Sequence, residues 1–81
     1  MDNQELALRY GPAATHSDYR RGERIAFSEA GQLYSGIIIW VCAPQQGVNG
    51  HIPTCYVVET EQHSDFPLFV WPGDIIQAAE T

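Results

Sequence analysis

The residues with the most chemistry in reach are Glu59, Glu61 and His63, spaced two apart in the run YVVETEQH. In a strand, side chains alternate faces with a period of two, so two carboxylates and an imidazole share one side. That arrangement suits acid–base work only where an apolar pocket shifts a carboxyl pKa toward neutrality. Here Tyr56 and Val58 fall on the opposite side. The acidic side therefore reads as a solvated or subunit-contacting surface, with Tyr56 and Val58 turned inward, and no catalytic residue is assigned. His63 stands at a turn beside Ser64 and Asp65, where an imidazole hydrogen-bonds locally.

The basic residues form a second group. The chain carries a net charge of −6, and its four cations are Arg9, Arg20, Arg21 and Arg24. Nucleic-acid binding draws on many Lys and Arg contacts to phosphate, so this composition argues against it. The Arg20, Arg21 and Arg24 patch has two readings: a solvated basic spot, or a hold for one phosphate. Cys42 and Cys55 are the only thiols. Two cysteines make no disulfide framework, and both are expected to be reduced and buried, although they flank the loop Ala43–Thr54 and stand to face each other across a hairpin. No CxxC or His/Cys cluster has metal-ligand spacing, so no metal site is expected.

These residues must be positioned by a small scaffold. The chain has 81 residues, enough for one domain with a modest core, and oligomerisation is a common remedy for that size. The first residues lack the basic and apolar pattern of a signal peptide, and IIIWVCA is too short to span a bilayer, so a soluble cytoplasmic protein is expected. Residues 1–21 read as a flexible arm in which QELALRY makes a helical turn or two, ended by Gly11-Pro12. From Gly22 onward the signal is β. GERIAFS alternates, EAGQ turns, and LYSGIIIWVC is a long β-branched strand in which Gly36 marks a bulge or bend. APQQGVNGHIP reads as a polar loop, TCYVVETE as a strand, FPLFVW as a short strand, PGD as a tight or 3₁₀ turn, and IIQ as a last strand. The expected fold is all-β, a small five-stranded SH3-like barrel over residues 22–81.

Four features in this order are similar to the type II dihydrofolate reductases, the plasmid- and integron-borne enzymes of trimethoprim resistance. They are GERI starting at Gly22, Trp40 with Cys42, the run Tyr56, Val58, Glu59, Glu61 and His63, and the pair Trp71-Pro72. The resemblance spans roughly Gly22 to Ile76. It implies an SH3-like barrel and a homotetramer around a pore where NADPH and dihydrofolate are held in reactive proximity. It also places the residue matching His63 at a subunit contact that responds to pH. The chain departs from the family at the pore. Phe27 stands where the family has a lysine. Leu68, Phe69, Val70 and Trp71 stand where it has a Val-Gln-Ile-Tyr segment, so Phe69 replaces the glutamine.

The leading expectation is thus a binding or assembly module on this scaffold, a homo-oligomer without a cofactor and not an efficient reductase. The alternative is an NADPH-dependent dihydrofolate reductase with Val70 and Trp71 lining a rebuilt pore. A third class, an accessory barrel like those fused to nitrile hydratase subunits, rests on fold analogy alone. Phe27, His63, Leu68, Phe69, Val70 and Trp71 are the candidate ligand-binding or interface residues. The short strand carries apolar residues on both sides, which suggests that a partner covers one of them.

Overall fold

The computed structural model describes residues 2–47, 50–60 and 67–78. Among these residues the fold is all-β apart from one short α-helix and a 3₁₀ turn. Helix α1 (Asn3–Tyr10) is followed by strands β1 (Arg24–Glu29), β2 (Gln32–Cys42), β3 (Gln45–Gly47), β4 (Gly50–Ile52), β5 (Cys55–Thr60) and β6 (Leu68–Val70). A 3₁₀ turn over Pro72–Asp74 leads into β7 (Ile75–Ala78). Five strands form one antiparallel sheet in the order β6-β5-β2-β1-β7, and β3 and β4 form a separate hairpin. The expected closure into a barrel is not met. β6 and β7 stand at opposite edges, and no ladder joins them among the described residues. At three and four residues they are the shortest members of the sheet.

The sheet carries apolar packing on both faces. On the first face lie Ile25, Phe27, Ile38, Val41, Tyr56, Val58 and Val70. On the second lie Trp40, Cys42 and Val57, covered by Leu6 of α1. A bulge in β2 lets both faces be served. Ile38 pairs with Val58 and Trp40 with Val57, so Ile39 is the extra residue. It breaks the alternation, leaving Ile38 and Val41 on one face and Ile39 and Trp40 on the other. Gly36 is not the bulge residue. It is buried against β5, where an added Cβ would lie 2.3 Å from the backbone oxygen of Glu59 and 2.7 Å from a Val58 methyl. Glycine is there because two backbones approach closely.

Turn chemistry sets the β1–β2 hairpin. Glu29 pairs with Gln32 across Ala30 and Gly31, whose φ angles of 51° and 80° fit a two-residue I′ turn. The polar run 43–54, read from sequence as a loop, holds the β3–β4 hairpin, with Gln45 opposite Ile52 and Gly47 opposite Gly50. Period-two apolar alternation does not reveal strands this short and polar.

The segment expected to be a flexible arm is laid against the sheet. Helix α1 begins at Asp2, whose Oδ1 accepts from the backbone N–H of Glu5 at 2.8 Å. It ends at Gly11, φ 94°, as expected from Gly-Pro. Beyond it, the Ala14 N–H donates to the Val41 carbonyl at 2.9 Å, and the Ala43 N–H donates to the Pro12 carbonyl at 2.9 Å. β2 is eleven residues long and β1 only six, so the end of β2 has no β1 partner. Residues 12–14 take that place. Leu6, buried to 2 %, and the ring of Tyr19 add the apolar contacts that the sequence of this segment did not advertise.

Candidate functional site

The N-terminal segment leaves the edge of β2 at Ala14 and returns at Gly22. There the Gly22 N–H donates to the Ile38 carbonyl at 2.7 Å, and the Ile38 N–H donates to the Glu23 carbonyl at 3.0 Å. The intervening residues 15–21 arch away from the strand. Between this arch and Trp40–Val41 lies a cleft of about 580 Å³, lined by Thr15, His16, Ser17, Arg20 and Arg21 on the arch side and reaching Asn3 of α1. Trp40 is almost fully buried, and its Nε1–H donates to the Gly11 carbonyl at 2.9 Å. The Arg21 guanidinium lies 5.5 Å from the centre of that ring and donates from Nη1 to Asn3 Oδ1. A cation on an indole face is attractive, and the Asn3 bond fixes its direction. Glu23, two residues after Arg21, directs Oε1 to the backbone N–H of Arg20 at 3.1 Å. The structure thus keeps Arg20 and Arg21 together and leaves Arg24, grouped with them by sequence, on β1 outside the cleft.

A smaller cleft of about 340 Å³ lies on the other side of the arch, lined by His16, Ser17, Asp18, Thr54, Tyr56 and Pro72. Its centrepiece is Tyr56. The Tyr56 ring meets Tyr19 edge-on at 5.8 Å. Burial pushes its phenol above the usual value and the Asp18 carboxylate adds to that, while backbone hydrogen bonds at Tyr19 and Asp18 pull it down.

The residues singled out on the resemblance to the reductases are not gathered at one surface. Phe27 is fully buried in the first-face core, and Val70 is nearly so. Neither offers a surface to a ligand or a partner. Leu68 is half-buried beside them. Phe69 and Trp71 are 52 % and 46 % exposed. Phe69 lies on the helix face, where the Tyr10 ring meets it edge-on at 5.7 Å. Glu59 is exposed. Glu61 and His63 lie outside the described residues. Val57, expected on the solvated side with Glu59, is fully buried, because α1 covers the sheet at that point.

The two thiols are free and stand opposite each other in register at the ends of β2 and β5. Burial pushes the Cys42 thiol up to about 12, helped by a hydrogen bond and by electrostatic repulsion with Cys55. A thiol held protonated is a poor nucleophile, so Cys42 has the character of a core residue. Among the described residues no group of three or more His, Cys, Asp or Glu side chains is placed to hold a metal ion, and no helix is long and apolar enough to cross a membrane. No family model matches the chain, and no curated protein or solved structure gives a significant match.

Proposed function

We propose that this chain is a binding and assembly module built on an SH3-like succession of strands. In this reading it is similar in scaffold to the type II dihydrofolate reductases but is not an efficient reductase. The observation that carries the reading is the β6 edge. Among the described residues this three-residue strand has a neighbour on one side only; it presents Phe69, which meets the Tyr10 ring, and Trp71 follows just beyond its end, each about half exposed. An unpaired edge with exposed aromatics is a template for pairing with another strand. The occupant is a second copy of this chain. A two-fold axis beside β6 sets two such edges antiparallel and places the same aromatic pair on both sides of the contact.

The case against reductase chemistry rests on Phe27 and Phe69. The first lies in the core, at the position where the family's pore has a lysine. The second offers a ring where the family has an amide. A charge-assisted hydrogen bond contributes about 1.5–3 kcal/mol, and an aromatic ring does not replace it for an anionic cofactor.

Light scattering at increasing concentration tests the assembly. The wild type should exceed the monomer mass, and Trp71→Arg should return it to the monomer. A wild type that stays monomeric at high concentration refutes the contact. Dihydrofolate-dependent oxidation of NADPH, with trimethoprim resistance in a sensitive bacterium, would promote the reductase reading instead.

A further inference from the structure

We infer that the cleft between the 15–21 arch and the end of β2 is a binding site for a phosphate monoester of metabolite size. Three observations converge on it. The first is charge. The chain has ten acidic residues and four arginines, yet two of those arginines line this one cleft with His16, and no carboxylate does so among the described lining residues. A local positive spot on an otherwise acidic molecule is a place where an anion is held against the long-range field.

The second observation is preorganisation. Arg21 is not a free surface side chain. Its guanidinium rests against the Trp40 ring and is bonded to Asn3, so α1 and β2 fix it together. Both contacts are with uncharged groups, so neither neutralises the cation. A planar guanidinium whose direction is fixed in advance loses less freedom when it grips an oxyanion. Of the two acids that flank the arginine pair, Glu23 directs Oε1 to the Arg20 backbone N–H and Asp18 lines the neighbouring cleft.

The third observation is size and polarity. About 580 Å³ lies within the range of small-molecule sites. Ala13 and Ala14 also line it, and their side chains are small. The Thr15 hydroxyl and the His16 imidazole add hydrogen-bonding groups around the two guanidiniums, whereas Ser17 already donates its hydroxyl to the Tyr19 carbonyl at 2.5 Å. Two guanidiniums lining one cleft suit a phosphate, which arginine forks bind in bidentate fashion. The site lies away from the β6 edge, so it does not depend on the assembly proposed above.

The test is a titration of isotope-labelled full-length protein with inorganic phosphate, glucose 6-phosphate and glucose, followed by amide and arginine side-chain NMR shifts. Saturable shifts confined to residues 13–21 and 40–41 are expected with glucose 6-phosphate and, more weakly, with phosphate, and none with glucose. Arg20→Gln and Arg21→Gln should each weaken binding at least tenfold. Arg24→Gln removes the same charge outside the cleft and should change it less than twofold. Arg21→Gln also loses its contact with Trp40, so Arg20→Gln is the decisive variant. Shifts that never saturate, that spread beyond the cleft, or that fall equally in Arg24→Gln would overturn the site and leave only diffuse charge attraction.

Discussion

The two faces of the sheet are built by different rules. The first face is made by the sheet itself. Ile25 and Phe27 of β1, Ile38 and Val41 of β2, Tyr56 and Val58 of β5 and Val70 of β6 come from four strands and meet as their alternation directs. The second face is made by recruitment. Three strand residues, Trp40, Cys42 and Val57, are covered only because α1 brings Leu6 over them. Seven buried residues against four, and strand-to-strand contacts against one short helix, imply that the faces differ in how firmly they are held. The contrast also explains where the cleft lies. The N-terminal segment has to cross from the helix face, where Leu6 packs, to the first face, where Ala14 and Tyr19 pack. The arch formed in that crossing encloses the space beside Trp40 and Val41.

Core truncation should separate the faces most. Phe27→Ala empties the centre of the first face and should cost about 3–5 kcal/mol, while Leu6→Ala on the helix face should cost about 2 kcal/mol, the low end for leucine truncation. Urea unfolding of both variants checks this, with Phe27→Leu as a milder substitute should the alanine variant fail to fold. A cost near zero for Leu6→Ala would mean that α1 contributes little to the second face in solution, and the comparison would collapse.

An alkaline titration sharpens the comparison, because each face holds one group whose proton is retained on folding. Cys42, on the helix face, rises from its ordinary 9.0 to about 12, and Tyr56, on the first face, rises above its ordinary 10.0. In each case the unfolded chain gives up the proton first. The stability these groups contribute is whole below about pH 9 and declines as pH climbs through the raised values. The urea midpoint should therefore fall between about pH 8 and about pH 10.5. Cys42→Ala should reduce the fall without abolishing it, since Tyr56 remains. An unchanged slope in Cys42→Ala would place the effect elsewhere.

The smallest expected effect lies at the β1–β2 turn, remote from the contrast between the faces. Ala30 holds φ 51°, a conformation that L residues adopt at a cost. Ala30→Gly should raise stability by up to about 1 kcal/mol, read as a higher melting temperature with no change in the Leu6 and Phe27 effects.

Much of the sheet was legible in the sequence because period-two alternation reports the face a residue takes. Ile25 and Phe27 were placed together, as were Tyr56 and Val58, and the Gly11-Pro12 stop, the EAGQ turn and the 3₁₀ turn at Pro72–Asp74 follow from local backbone preferences. The β3–β4 hairpin was not legible, because its strands are three residues long and its first is polar. Of the candidate site, the sequence offered Arg20 and Arg21 side by side and the possibility of a phosphate. It gave no reason to separate Arg24 from them or to bring Trp40 and Asn3 to them.

By itself, then, the sequence determined an all-β chain with one short N-terminal helix, a net negative charge and a cluster of arginines, because propensity, alternation and turn residues act locally. Only the tertiary structure decided that Val57 is buried, that Gly36 is a point of close approach, that the sheet stays open among the described residues, and that α1 and residues 12–14 pack against β2. Each of these depends on what lies across space. Val57 needs the helix above it, Gly36 needs the β5 backbone beside it, and residues 12–14 need the part of β2 that outruns β1.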